Sequence, residues 1–194
     1  MILNLNQISK NCQGEFTLEK WITPARGELS RTELAEMKVH NTLFTVFYVQ
    51  IVSMMKEKYG TQGAIDALRQ IGEGVATTLY NYIRPIKTNS LAALISYIVD
   101  FAFYYPVLIK KIDDGLMVYD KNCPICWEGV IEKDIPYCCI VDGFLEKYIA
   151  MTHEENSEIP IVEVHVVKSK ATGEKYCQHK VKLQSIYYSN KTKD

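Results

Sequence analysis

The chain of 194 residues has little net charge of either sign. Its 22 lysines and arginines stand against 23 aspartates and glutamates, a formal net charge of -1. Without a basic excess there is no broad phosphate-binding surface, and nucleic acid is not an expected partner. A long uninterrupted apolar run is also missing. The longest stretch, residues 91–109, is broken by Asp100 and Pro106 and is rich in tyrosine, so no membrane span is expected. The opening Met1-Ile2-Leu3-Asn4 lacks the basic and long apolar segments of a secretory leader, so the expected location is cytoplasmic and the cysteines are expected to be reduced. Neither Gly-x-Ser-x-Gly nor His-Glu-x-x-His occurs, nor a nicotinamide or flavin fingerprint, so catalysis has no positive support. Repeats, low-complexity tracts and linkers are absent too. The division is an irregular N-terminal segment (1–29), one domain (30–185) and a polar tail (186–194).

Within that domain the periodicity predicts helices first and hairpins after. Ser30-Arg31-Thr32-Glu33 reads as a capping box opening a helix that Gly60 ends, with Leu34, Met37, Phe44, Phe47, Ile51 and Met54 at helical spacing. A second helix follows from Thr61, with Ile65, Leu68, Gly72, Val75 and Leu79 on one face, closed by Arg84-Pro85. Gly72 and Gly74 each cost this helix about 1 kcal/mol relative to alanine, so a close approach by another helix or a ligand should offset them. Asn89 or Ser90 caps a third helix, which Pro106 ends. Then come a hairpin with an Asp-Gly turn around Asp113-Asp114-Gly115, a helix over 136–151, and a second hairpin turning at Ala171-Thr172-Gly173. The expected class is α+β, with helices on one side of an antiparallel sheet.

What is abundant is cysteine in the second half. Cys123 and Cys126 form a two-residue-spaced knuckle, Cys138 and Cys139 open a helix, and Cys177 and His179 are two apart on a strand; Cys12 lies far away. Sulfur-rich sets of this kind suit tetrahedral zinc. The first candidates are Cys123, Cys126, Cys138 and Cys177. Cys139, His179, His165 and Glu163 are second-rank, because a three-residue hairpin turn would put His165 opposite His179 with Glu163 on the same face. The alternatives are small buried hydrophobes or a redox pair at Cys123 and Cys126.

Three segments carry a family likeness. They are Leu68-Arg69-Gln70-Ile71-Gly72-Glu73-Gly74, Cys138-Cys139-Ile140-Val141-Asp142-Gly143-Phe144-Leu145, and residues 168–177 with Gly173 four before Cys177. In these the chain resembles the 4-vinyl reductase-type, hydrocarbon-binding domain family, which shares its fold with the core subunits of the TRAPP vesicle-tethering complex. The resemblance implies a dimer with an apolar cavity between helices and sheet, and in some members a nearby zinc. Matched residue by residue, the family's helix cysteine falls at Cys138 and its last hairpin cysteine at Cys177. The other hairpin cysteine falls at Ser169, and the usual glutamate falls on Val166, with Glu163 near. Cys123 and Cys126 are placed to supply the two missing ligands.

The leading expectation is therefore a non-catalytic domain that binds a small apolar or aromatic molecule, forms a homodimer and carries a structural zinc. The expected pocket liners are Ile71, Val75, Leu79, Leu94, Ile98, Phe101 and Tyr104, with Trp127 as a wall. The first alternative is an assembly or scaffold protein of the TRAPP-subunit type, using the apolar first helix. The second is a reductase or a metal-assisted hydrolase.

Overall fold

The computed structural model describes residues 31–103, 106–126 and 132–184, with side chains from residue 46 onward in the first helix. The expected N-terminal segment and C-terminal tail, Cys12, Tyr104, Trp127 and the side chains of Leu34, Met37 and Phe44 lie outside the described residues.

Helix α1 is Arg31–Tyr80, broken at Gly60, whose φ of 73° and ψ of 175° leave the helical region. Glycine tolerates that conformation because it has no Cβ. The break separates a first arm (31–59) from a second arm (61–80), as the sequence suggests. In the first arm Tyr48, Val49 and Val52 are buried, whereas Phe47 and Met54 are 69% and 66% exposed. The expected inward stripe is thus rotated, and those two side chains leave an apolar outer face.

In the second arm Ala64, Leu68, Ala76 and Tyr80 are buried, a ladder of fourth residues with Gly72 at its centre. That ladder crosses α3, Cys139–Glu155. A Cβ on Gly72 would lie 2.0 Å from the Ile140 carbonyl oxygen, and one on Gly143 would lie 2.1 Å from that of Arg69. Two glycines therefore let the backbones touch, and this close approach answers the expectation for Gly72. Gly74 meets nothing within 4 Å. The arm ends at Tyr80, before Arg84-Pro85, and beyond it the Ile83 carbonyl accepts a hydrogen bond from the buried Tyr148 hydroxyl. Helix α2, Leu91–Phe103, is capped by Ser90, whose Oγ accepts the Ala93 N–H at 3.3 Å.

Strands β1 (Leu108–Ile112), β2 (Gly115–Asp120), β3 (Val162–Lys168) and β4 (Cys177–Leu183) form one antiparallel sheet in the order β1-β2-β4-β3. Ile112 pairs with Gly115, so the two turn residues are Asp113 and Asp114, and Gly115 belongs to the strand. The inner face carries Ile109, Val118, Val164, His179 and Val181, all buried, while Lys110 and His165 on the outer face are exposed. The architecture is α+β, as the element order implies.

The outer rim of β3 is occupied by side chains. Val164 N–H donates to Glu146 at 3.0 Å, Val166 N–H donates to Asp142 at 2.7 Å, and the Val164 carbonyl accepts from Arg69 at 2.8 Å. Arg69 also pairs with Glu146 at 2.8 Å. One guanidinium and two carboxylates, all from helices, thus satisfy backbone groups that a further strand would otherwise take.

Candidate metal centre

Cys123, Cys126, Cys138 and Cys177 come from three places in the fold. The first two lie on the turn after β2, where the Asp120 carboxylate accepts the Asn122 N–H at 2.9 Å and bends the chain back. Cys138 is the N-cap residue of α3, and Cys177 opens β4, pairing with Asp120. All four are free and buried, and their sulfurs lie within 4.8 Å of one another. Zinc–sulfur bonds of about 2.3 Å set tetrahedral sulfur separations near 3.8 Å. Each sulfur therefore needs to move by less than about 1 Å, which side-chain rotation supplies. The donor set fits a closed, four-thiolate ion.

Polar groups around the sulfurs are few and directed. Ser169, 1% exposed, has its Oγ 3.4 Å from Cys126 Sγ and 3.5 Å from Cys138 Sγ. The Lys170 N–H donates to Cys177 Sγ at 3.3 Å. The position that the resemblance assigns to a ligand is thus a hydroxyl touching two sulfurs. A bulge between Val166 and Lys168 aims it there. Hydrogen bonds from Cys123 first, then from Cys138 and Cys177, pull the Cys126 thiol far down. Sharing its proton with Cys126 holds Cys123 up.

The second-rank candidates lie elsewhere. Cys139 Sγ points to the Ile65 carbonyl at 3.9 Å, since neighbouring helical residues diverge, and burial pushes its thiol up to about 12. His165 and Glu163 sit on the outer face, 3.0 Å from each other. His165 pairs with Lys180, and it is Val166 that faces His179. The three-residue turn does not form; the bulge and the 3-10 turn Lys170–Thr172 shift the register by one, and a one-residue shift reverses faces.

His179 is buried but bonded away from the sulfurs. Its Nδ1 is 2.6 Å from Asp142, itself 1% exposed, and Arg69 lies 3.5 Å from the other Asp142 oxygen. Burial lowers the His179 pKa, but the Asp142 charge and hydrogen bond more than offset this and leave it raised. Its Nε2 is buried without a hydrogen-bond partner. Sequence reading missed this dyad, because its two members lie 37 residues apart in the chain.

Tyr48 was missed as well. From the first arm of α1 its hydroxyl donates to the Tyr137 carbonyl at 2.7 Å, next to Cys138, and the two rings meet edge to face at 5.8 Å. Burial first, then the charge on the sulfurs, raises its pKa and keeps it a phenol donor. Among the expected pocket liners, Leu94 and Ile98 are buried in the core and Leu79 is half-buried. Ile71, Val75 and Phe101 are 40%, 41% and 47% exposed. Ile71 and Val75 turn outward because Gly72 and Ala76 take the face against α3. A recess lined by Glu163, Lys182, Leu183 and Gln184 is polar and lies at the sheet margin.

No helix among the described residues is long and apolar enough to cross a membrane. No family model matches the chain and no curated protein does, so the 4-vinyl reductase likeness rests on the three quoted segments alone. Solved structures do match. One is trafficking protein particle complex subunit 3 from Naegleria fowleri, covalently bound to palmitic acid, with a TM-score of 0.62 at 14% identity over 76% of this chain and 96% of that one. The helices and four-stranded sheet described above share the fold of that subunit.

Proposed function

We propose that this chain is a non-catalytic assembly domain whose late sheet, knuckle and α3 are fastened by a structural zinc ion. The carrying observation is the convergence of four buried sulfurs from three elements. Four protein thiolates fill a tetrahedral zinc and leave no position for water or substrate, which disfavours hydrolysis. The outer face of the first arm, with Val46, Phe47 and Met54 exposed, is the assembly surface, and a second copy of the chain is the expected partner. The matched subunit's membership of a multi-subunit complex supports this reading.

Native mass spectrometry of the reduced chain with zinc should show one ion per chain. Cys126→Ser should lower metal content, and Cys12→Ser should leave it unchanged. Equal metal content in both variants would exclude the proposed ligand set. Chelation should loosen the last hairpin and leave the second arm of α1 and α3 folded, because their crossing at Gly72 and Gly143 is made without the ion.

A second reading rests on the unpartnered Nε2 of His179. A small apolar molecule with a polar head would satisfy it; the palmitic acid on the matched subunit supports a lipid-like ligand. A ligand at 100 times its Kd stabilises by about 2.7 kcal/mol, which a melting curve resolves. Phenols and fatty acids that leave Tm unchanged at millimolar concentration would discard this reading.

A further inference from the structure

The strip of residues 132–137, which leads into Cys138, is the seat of the first arm of α1. Within it Glu132 accepts from Ser53 at 2.9 Å and from Lys56 at 2.6 Å, Asp134 accepts from Lys56 and Thr61 at 2.8 Å each, and Tyr137 receives Tyr48. The Glu132 N–H donates to Tyr137 Oη at 3.3 Å, tying the segment to itself. Cys138 follows this strip directly, and its sulfur lies within 4.8 Å of those of Cys123 and Cys126 on the turn after β2 and of Cys177 on β4.

We propose that metal binding at the four cysteines seats the first arm of α1, by fixing the strip of chain against which residues 48–61 dock. This rests on the zinc reading above and adds a regulatory consequence to it. The physical reason is pre-positioning. Partly exposed ion pairs such as Lys56 with Glu132 and Asp134 contribute little unless their geometry is held in advance. An ion that ties Cys138 to the turn after β2 and to β4 fixes the end of the strip and removes freedom that would otherwise oppose those contacts. Ile135 and Tyr137, both fully buried, hold the strip's inner side but leave its acidic rim to the clamp.

Hydrogen exchange of the full-length chain, zinc-loaded against metal-free and reduced, tests this. Residues 46–61 should exchange about tenfold faster without metal, while residues 64–80 and α3 beyond its first turn keep their protection. Tyr48→Phe should bind zinc with unchanged stoichiometry and yet exchange faster over 46–61. Glu57→Gln, at an exposed position of the same arm, should match the unchanged chain in both zinc stoichiometry and exchange. If zinc binds but residues 46–61 exchange alike with and without it, the seating proposal fails and the zinc reading stands. If no zinc binds, both fail. If removal releases every element equally, the ion holds the whole fold and the local device is overturned. Unchanged exchange in Tyr48→Phe would remove Tyr48 from the route.

Discussion

Replacing Asp142 by alanine is expected to destabilise the chain by about 3–5 kcal/mol, read from the midpoint of equilibrium urea unfolding. This carboxylate is 1% exposed and serves three elements at once: His179 on β4, the Val166 N–H on β3, and Arg69 from the second arm of α1. Its removal strands a buried imidazole nitrogen, a backbone donor and part of a guanidinium together. Losing one member of a buried charged network costs more than the network's net worth, because the remaining groups stay desolvated without a partner. Glu146→Gln is the comparison. Glu146 is one-third exposed, and a glutamine oxygen can still accept from Arg69 and from the Val164 N–H, so a loss of about 1 kcal/mol or less is expected. Equal losses for the two variants would mean that Asp142 is an ordinary surface carboxylate in solution.

Two glycines separated by one residue should respond to alanine with opposite signs. At Gly72 the new Cβ would meet the Ile140 carbonyl oxygen at 2.0 Å and the Phe144 nitrogen at 2.8 Å. Both are backbone atoms, so α1 and α3 must separate, and a loss of about 3 kcal/mol is expected. At Gly74 a Cβ meets nothing within 4 Å, so Gly74→Ala should gain about 1 kcal/mol from helix propensity alone. Thermal unfolding of the two variants side by side checks both. A stable Gly72→Ala would show that the crossing has slack.

Much of this was legible in short-range signals. Gly60 after an apolar helix marks a break, Asp113-Asp114-Gly115 marks a hairpin, and Pro106 marks the end of a helix, because each constrains φ locally. The four-sulfur set was also readable, since a two-residue knuckle, a helix start and a strand start all have predictable directions. His165 was misplaced for a reason no pattern could reveal. Facing is decided by parity across the turn, and one bulge between Val166 and Lys168 changes that parity. The face of the second arm was legible at Leu68 and Gly72, but Val75, expected beside them, turns outward because the small Ala76 takes the contact with α3. The buried trio of Arg69, Asp142 and His179 was invisible because its members lie far apart in the chain and only the crossing brings them together.

The side chains along the rim of β3 bear on how this protein behaves when crowded. With Val164 and Val166 already engaged by Arg69, Asp142 and Glu146, an incoming extended peptide finds no ladder to join on that flank. Any fibril-like stacking is thereby steered to β1, five residues long and carrying Lys110 and Lys111, where like charges on successive copies would repel.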